Sequence, residues 1–398
     1  MDDSLAVEVG ERVRFYRAAV RKTKTVVAGL TGITPDYLYQ IERGQKVPAL
    51  SVLVQLADVL GVEPGCLIRG RSPNQCQRSD EGAAAAICRA LTGRGVPQTV
   101  PSLTQVRREV GGAWHTWQTS PHRYSSLTAG LSNLIINIEA VVESAGTTDL
   151  RAARACAADL YGLVRTFTKR IGRVDLSLLA ADRGVRAAQA AEDPIRLAGA
   201  HWNMAQVLLA GDEVEAAEDV AMGALEKLRS PVEQDRLDAM ALSGSLLLIA
   251  AVAAARRRDE WTARDRLQQA VPLAERTGER NTCWTAFGPI NVAMHAVTVE
   301  VETGEAVEGL RLAERVEYVR SPSIERRVAF LIDQARGHQQ RRDYASTLLL
   351  LQTAENEAPE DMRHRPAARN LLRAVIENGR RSVSQQAVQI AERLGVPA

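Results

Sequence analysis

The sequence is poor in aromatic residues, and its cysteines and histidines form no cluster. Aromatic residues make up 4% of the chain, while alanine, leucine, glutamate and arginine, which favour helix, are abundant. The five cysteines are an odd number with irregular spacing: Cys66, Cys76, Cys88, Cys156 and Cys283. None forms the Cys-x-x-Cys or Cys/His grouping that zinc requires, so we expect idle thiols in a reducing compartment and no metal site. The composition predicts an all-α protein.

Long apolar runs and catalytic motifs are also missing. We find no stretch that approaches 18 uncharged apolar residues, and the N-terminal MDDSLAVEVGERVR begins with acids rather than a signal sequence. These absences predict a cytoplasmic protein with no membrane partner. No Gly-rich phosphate loop, His-Glu-x-x-His or Gly-x-Ser-x-Gly motif occurs, so we expect neither enzyme activity nor a cofactor.

The first seventy residues contain signals for several short helices. A helix over residues 6–20 is indicated by the spacing of Val9, Val13, Tyr16 and Val20. Thr23 can cap a second helix, and Gly32 can end it because glycine accepts a positive φ. Thr34 is a good N-cap for a third helix, which Pro35 and Asp36 favour in the first turn. Two more helices are predicted, over residues 48–60 and 64–68.

Two short helices joined by a glycine-containing turn are typical of the helix-turn-helix arrangement. The string VAGLTGITPDYLYQIERGQKVPALSVLVQLADVLGV resembles the Cro/C1-type (XRE-family) helix-turn-helix. The resemblance covers roughly residues 9–68, about a sixth of the chain. It implies that residues 34–43 form the recognition helix in the major groove of double-stranded DNA.

The resemblance also implies roles for individual residues. It assigns base readout to Pro35, Asp36, Tyr37 and Gln40. Phosphate contacts are expected from Thr23, Lys24, Thr34, Arg43 and Lys46. Gln40 can pair with adenine and Asp36 can accept from cytosine, so these assignments are chemically sensible.

Arg17 and Glu42 occupy positions that often pair in this family, and we predict their proximity. Two other positions depart from the family pattern. Lys24 stands where glutamine is usual, and Tyr39 stands where a small polar residue is common. The base preference is therefore not inferable from the resemblance.

Charge placement decides between DNA binding and a bundle with a solvated charged surface. Residues 1–70 contain nine Lys or Arg and eight Asp or Glu, which alone would favour the bundle. Several of the acids lie outside the turn segment, whereas five cations surround it: Arg21, Lys22, Lys24, Arg43 and Lys46. Local placement of cations is what nucleic-acid binding requires when the formal net charge is only +2. We therefore predict DNA binding.

The rest of the chain predicts paired helices after a polar linker. The predicted domains are a helix-turn-helix domain over residues 1–70, a linker with a short helix (82–91) over 71–101, and a repeat domain over 102–398. Small residues, mostly in pairs seven apart, follow short polar turns: Ala180 with Ala187, Ala216 with Gly223, Ala263 with Ala270, Gly309, and Thr347 with Ala354. This pattern resembles degenerate tetratricopeptide repeats.

In such repeats, the first helices of the hairpins line a concave groove. Polar residues on these helices are groove candidates: Asn203, Gln206, Asn291, His295, Arg326 and Asp333. The combination predicts a homodimeric, DNA-binding transcription regulator whose repeat domain binds a peptide, protein or small-molecule signal. The main alternative is an interaction scaffold in which the N-terminal bundle docks a protein instead of DNA.

Overall fold

The computed structural model describes residues 3–62, 64–68, 75–93, 95, 97, 99–228 and 236–395. Over these residues the chain forms helices and turns, with an isolated β-bridge between Arg280 and Phe287. The predicted all-α fold is confirmed. The start of the predicted linker, residues 71–74, lies outside the described residues.

The N-terminal helices follow the predicted order. They are α1 (Asp3–Ala19), α2 (Lys24–Leu30), α3 (Pro35–Glu42), α4 (Leu50–Leu60), α5 (Pro64–Ile68) and α6 (Gln75–Thr92). Helix α6 begins seven residues before the short helix predicted from the sequence. Gly82, which suggested a helix start, lies inside it, where even an added Cβ would contact nothing within 4 Å.

The following helices run almost to the C-terminus. The first group is α7 (Leu103–Thr119), α8 (Arg123–Thr128), α9 (Leu131–Ser144), α10 (Thr147–Arg170), α11 (Val174–Ala190), α12 (Pro194–Ala210), α13 (Val214–Lys227) and α14 (Leu237–Arg256). The second group is α15 (Glu260–Thr277), α16 (Pro289–Thr303), α17 (Ala306–Ala313), α18 (Ile324–Gln340), α19 (Tyr344–Glu357), α20 (Pro359–Arg363), α21 (Pro366–Asn378) and α22 (Arg381–Leu394). Short 3-10 turns occur at Thr282–Trp284 and Tyr318–Arg320.

The chain divides into two compact units. One combines Met1–Arg78 with Arg341–Ala398, and the other is Ser79–Gln340. In the first unit, α1 packs against α21 and α22, and Arg14 approaches Glu377 at 3.4 Å. The first unit thus contains both ends of the chain, whereas each predicted domain is one continuous segment. The boundaries of the predicted domains stay a prediction.

Successive helices form hairpins with a common local geometry. Each of several turns contains one residue in the left-handed region, and a small residue follows it five positions later. The turn residues are Gly172, Asp212, Arg258, Gly304 and Arg342. The small residues, all buried, are Ser177, Ala217, Ala263, Gly309 and Thr347. A small side chain at this position lets the two helices of a hairpin approach closely.

This geometry corrects the predicted repeat register in two places. Ala216 and Gly223 are exposed, and Ala217 and Ala224 are buried instead. In the earlier hairpin, Ser177 rather than Ala180 occupies the position five residues after the turn, although Ala180 is buried as well. Four of these five turns have the same three-residue length, so turn length does not cause the shift; the sequence alone could not tell which of two neighbouring small residues, such as Ala216 and Ala217, faces the partner helix.

The absence of a long apolar run is also corrected. Arg123–Ser144 and Leu237–Arg256 are long and apolar enough to cross a membrane by length and composition. In α14, 83% of the apolar window is buried within the protein. Gly244 and Ser245 interrupt the apolar residues of α14, so the sequence prediction missed this long apolar run. Burial among neighbouring helices accounts for the high hydropathy of α14.

Candidate nucleic-acid interface and ligand cavity

Side-chain caps define the turn between α2 and α3. The Thr23 hydroxyl accepts a hydrogen bond from the Val26 backbone N–H at 3.3 Å, and the Thr34 hydroxyl accepts one from the Tyr37 backbone N–H at 3.1 Å. Gly32, between the helices, has a φ of 64°. These caps satisfy backbone donors that would otherwise have no partner, so both helices start where the sequence places them.

The inner face of α3 is anchored in the small N-terminal core. Leu38 and Ile41 are fully buried in a cluster that includes Val13 and Leu56. Gly10 of α1 lies so close to the Ile41 carbonyl oxygen that a Cβ would clash with it. Helix α3 is therefore fixed along one side, which leaves the opposite side to face outward.

The outward side carries the residues predicted to read bases. Pro35 and Asp36 are exposed, whereas Tyr37 and Gln40 are half-buried. Tyr37 packs partly against the N-terminal core, so a portion of its ring has a structural role. The structure brings these four residues together at one surface, and their contact with bases stays a prediction.

The predicted phosphate-contacting cations lie around two tyrosine rings. Lys24 Nζ is 4.5 Å from the centroid of the Tyr39 ring, and the Arg43 guanidinium is 5.5 Å from it. Arg43 Nε also donates to the Tyr39 hydroxyl at 3.1 Å. Lys46 Nζ lies 5.7 Å from the Tyr37 ring. Sequence reasoning treated Tyr39 only as a departure from the family and missed that it gathers two cations.

Arg17 and Glu42 form the pair expected from the family resemblance at the back of this surface. Arg17 Nε and Nη2 donate to the two carboxylate oxygens of Glu42 at 2.5 and 3.1 Å. Lys24 Nζ approaches the same carboxylate at 3.6 Å. The Glu42 side chain is only 3% exposed, so this carboxylate joins α1, α2 and the end of α3 from inside.

A cavity in the second unit forms a separate candidate site. It holds about 550 Å³ of empty space, including its open mouth. Its wall contains four of the five tryptophans in the chain, which are Trp114, Trp117, Trp202 and Trp284. It also contains four cationic residues, Arg165, Lys169, Arg170 and Arg326, and one carboxylate, Glu325. Such a mixture of flat apolar surface and cations suits an anionic ligand.

Arg165 is the most deeply placed of these cations. It is 2% exposed, its Nη2 donates to the amide oxygen of Asn203, and its guanidinium lies 5.5 Å from the Trp202 ring. Its Nε is buried without a hydrogen-bond partner among the described residues. Burial lowers the pKa of Arg165 to about 9, a shift that Glu325 opposes, so the side chain is still charged at neutral pH.

Arg326 is oriented by groups behind the cavity. Its Nε donates to the Asn291 amide oxygen at 3.0 Å, and its Nη2 lies 3.1 Å from His295 Nε2. His295 Nδ1 lies 2.8 Å from the Asn291 carbonyl oxygen, so Nδ1 can carry the proton while Nε2 accepts. Burial holds the pKa of His295 well below its ordinary value, with Arg326 acting in the same direction; the imidazole is therefore neutral.

Five of the six groove candidates from the sequence lie at or behind this cavity. Gln206 and Arg326 line it, and Gln206 accepts from Lys169 Nζ at 3.4 Å. Asn203, Asn291 and His295 are buried and lie behind the wall, bonded to its arginines. Asp333 accepts from the Thr298 hydroxyl at 2.7 Å. Contact of any of the six with a partner stays a prediction.

One wall of the cavity is a strained segment between α15 and α16, residues 281–287, here called the strap. Cys283, Trp284 and Ala286 have φ values of 47°, 63° and 51°, in a backbone region that residues other than glycine rarely adopt. Asn281 Nδ2 donates to Gln118 Oε1 at 2.7 Å. The Trp284 ring stacks on Trp114 with a centroid distance of 5.2 Å and an interplanar angle of 6°.

Sequence reasoning found neither Arg165 nor the tryptophan wall. Trp114 and Trp117 are three residues apart on α7, but nothing in the sequence relates them to Trp202 on α12 or to Trp284 in the strap. The apolar residues Leu163, Val164 and Phe167 on both sides of Arg165 could have been a signal, because an unpaired buried charge is costly.

Comparison with known proteins supports the N-terminal assignment. Residues 8–69 match a family described as a helix-turn-helix domain. This segment is therefore a helix-turn-helix domain, as predicted.

A search of solved structures gave a weaker likeness. The chain resembles PlcR from Bacillus thuringiensis, in a crystal structure with the peptide PapR7 and DNA, at 12% identity. The match covers 68% of this chain and 95% of PlcR, with a TM-score of 0.29. Among curated proteins none matches the chain.

Proposed function

We propose that the protein is a DNA-binding transcription regulator that reads double-stranded DNA with α3. The observation that carries this proposal is the outward side of α3, where Asp36 is exposed, Gln40 is half-buried, and Lys24, Arg43 and Lys46 lie nearby. An exposed helix with polar residues on its outer side and cations beside it can enter a major groove while the cations contact phosphates.

Each predicted residue has a definite role in this proposal. The Gln40 amide can pair with the adenine edge, because its N–H donates to N7 while its oxygen accepts from the N6 amino group. Asp36 can accept from cytosine N4, and Pro35 and Tyr37 can make apolar contacts with thymine methyl groups. The phosphate contacts that hold the helix in register come from Thr23, Thr34 and the cations.

The protein acts on DNA as a homodimer in the cytoplasm in this proposal. One recognition helix contacts few base pairs, and helix-turn-helix domains gain specificity by binding paired half-sites about one helical turn apart. The second unit supplies a binding site for a signal. The cavity lined by Arg165 and the four tryptophans supports this part of the proposal. Its ligand is a peptide, a protein segment or a small molecule.

Selection of bound sequences from random DNA, followed by anisotropy titration at several salt concentrations, tests the proposal. We expect an enriched, two-fold symmetric site and an affinity that falls steeply with salt, because phosphate contacts release counterions. The alternative, an interaction scaffold, predicts no enrichment and no salt-dependent affinity. That result with the folded full chain would end the DNA-binding proposal.

A further inference from the structure

We propose that the cavity in the second unit binds a small organic acid with one carboxylate and a flat apolar ring system. The carboxylate is held by Arg165, and the ring lies against the tryptophan wall. This site deepens the proposed function: it specifies the chemical class of the signal, and its regulatory meaning rests on that function. Binding of the acid in the cavity does not depend on that function.

Arg165 supplies the positive charge that binds the ligand carboxylate. It is a cation buried on α10 whose Nη2 hydrogen bond goes to a neutral amide, that of Asn203. The described residues offer no acceptor to its buried Nε, and such an N–H is destabilising because it has lost water without gaining a partner. The planar guanidinium matches the two oxygens of a carboxylate. A ligand carboxylate beside the guanidinium would therefore offset the cost of burying its charge.

The charge of the whole wall points to the same ligand. Lys169, Arg170 and Arg326 add three cations to Arg165, while Glu325 is the one carboxylate in the lining. Glu325 accepts from Trp117 Nε1 at 3.0 Å and from Arg170 Nε at 2.8 Å. With its oxygens directed to those donors, the lining as a whole favours an anion.

The tryptophans specify the rest of the ligand. Trp114 and Trp284 stack with nearly parallel rings at the wall, and Trp202 lies against the Arg165 guanidinium. Flat indole surfaces stack well on planar rings, and a guanidinium placed beside an indole keeps its edge for a carboxylate. An aliphatic acid would use the cations but leave these surfaces without a matching partner.

The enclosed part of the cavity is too small for the backbone of a peptide segment. The 550 Å³ includes open solvent at the mouth, so it is an upper limit on the space, and the enclosed part admits only a compact group. A peptide carrying its own carboxylate would need a groove continuing from the mouth for its backbone. The lining consists of aromatic rings, long charged side chains and short polar side chains.

The strain in the strap also points to this cavity. Left-handed conformations at Cys283, Trp284 and Ala286 are unfavourable and persist only where surrounding contacts impose them. Gln118 Nε2 donates to the Trp284 carbonyl oxygen at 3.1 Å, and Asn281 bonds back to Gln118. These bonds hold Trp284 at the wall, which is what a fixed stacking surface requires.

Isothermal titration calorimetry on the full chain tests the proposal with 2-naphthoate and its neutral counterpart, 2-naphthamide. We expect one saturable site for the acid and at least about tenfold weaker binding of the amide, the loss typical of a hydrogen bond to a charged group. Benzoate should bind more weakly than 2-naphthoate because it covers less of the indole surface. Equal affinity for acid and amide would overturn the proposal, as would no saturable binding of either acid up to about 1 mM.

Variants locate the site. Arg165→Gln should weaken 2-naphthoate about tenfold or more and leave 2-naphthamide unchanged. Arg151→Gln is the matched control, because Arg151 lies on the same helix with its side chain 68% exposed and paired with Glu192. If Arg165→Gln does not fold, Lys169→Gln and Trp202→Leu carry the test, with each expected to weaken 2-naphthoate. Unchanged affinity in a folded cavity variant would refute the site.

Three further probes distinguish other ligands and the proposed function. Tighter binding of a Trp-terminated tripeptide acid than of 2-naphthoate would replace the small acid with a peptide, and equal binding of inorganic phosphate would reduce the cavity to a simple anion site. DNA affinity is measured with and without 2-naphthoate. Binding of 2-naphthoate without binding of DNA would support the cavity proposal and refute the DNA-binding function. Binding of DNA without binding of 2-naphthoate would support the DNA-binding function and refute the cavity proposal.

Discussion

Phe287 packs against Gly244 so closely that a Cβ on Gly244 would overlap the aromatic ring. This contact joins α14 to the strap, and the strap carries Trp284 to the cavity wall. The absence of a side chain at Gly244 is therefore a condition for the position of Trp284.

We expect Gly244→Ala to destabilise the second unit by about 1–3 kcal/mol, as overpacking a filled core does. The displaced strap should also shift the tryptophan emission to longer wavelength. Gly223→Ala is the control, because Gly223 lies in α13 with nothing within 4 Å of an added Cβ; alanine there should be neutral or stabilise by up to about 1 kcal/mol. Urea unfolding followed by fluorescence measures both, and equal stabilities would refute the contact.

The Arg17–Glu42 pair should determine the stability of the N-terminal helices. Arg17→Met leaves the buried Glu42 carboxylate with only Lys24 nearby, so we expect a loss of about 3 kcal/mol. Hydrogen exchange of the α1 and α3 amides should quicken accordingly. Arg17→Met combined with Glu42→Leu should recover much of the loss, since two apolar groups need no counterion. Arg14→Met, at a side chain 61% exposed, is the control and should change little.

Base readout by α3 predicts opposite signatures for two neighbouring residues. Gln40→Ala should weaken binding to the selected site by about 1–3 kcal/mol and spare random DNA. Arg43→Ala should weaken binding to every sequence and reduce the salt slope by about one unit. Anisotropy titrations on both DNAs give these values. Uniform loss for Gln40→Ala would mean that α3 does not lie in the groove as proposed.

Tyr39 should act by holding cations rather than by touching bases. Tyr39→Ala removes the ring beneath Lys24 and Arg43, so we expect about fivefold weaker binding to any DNA, consistent with about 0.5–1 kcal/mol for an exposed cation–π contact. The salt slope should not change, because both cations are still present. Tyr39→Phe keeps the ring and loses only the hydroxyl bonded to Arg43, so its affinity should stay close to that of the parent chain.

His295 should make the region behind the cavity sensitive to acid. Its pKa is held well below the ordinary value in the fold, while in the unfolded chain it is about 6.5. Below pH 6.5 the unfolded state takes up a proton that the folded state excludes, so the free energy of unfolding falls by up to about 1.4 kcal/mol per pH unit until the folded pKa is reached.

Above about pH 6.5 this contribution is constant, because both states are neutral. Hydrogen exchange of α16, compared at about pH 7.5 and about pH 5.5 after correction for the intrinsic rate, should show the loss. His295→Asn should remove the pH dependence at α16. His115→Asn, at an exposed position on α7, serves as the control, and an unaltered profile in His295→Asn would assign the effect elsewhere.

Much of the first unit was predictable because its signals are local. Thr23 and Thr34 cap the helices that follow them, and Gly32 turns between them. Each of these features depends on the backbone within a few residues. The same holds for the helical spacing that buries Leu38 and Ile41, so the direction of α3's outer side was implicit in the sequence.

The cavity was not predictable, because its parts are far apart in the sequence. Gln118 and Asn281 bond across 163 residues, and Trp114 meets Trp284 over a similar separation. The groove candidates were chosen as polar residues on helices, yet three of them, Asn203, Asn291 and His295, are buried behind the wall. Whether a polar side chain faces a ligand or supports another residue depends on neighbours that only packing supplies.

The sequence by itself determined the all-α composition, the caps and turns of the helix-turn-helix domain, and the pairing of helices in the body, since these depend on interactions between residues close in the chain. Tertiary structure alone decided the register of the small residues, the grouping of residues 341–398 with the N-terminal helices, and the union of Arg165 with four tryptophans. Those features depend on which faces of the helices pack together. The free energy of packing the whole unit determines which face of each helix is buried.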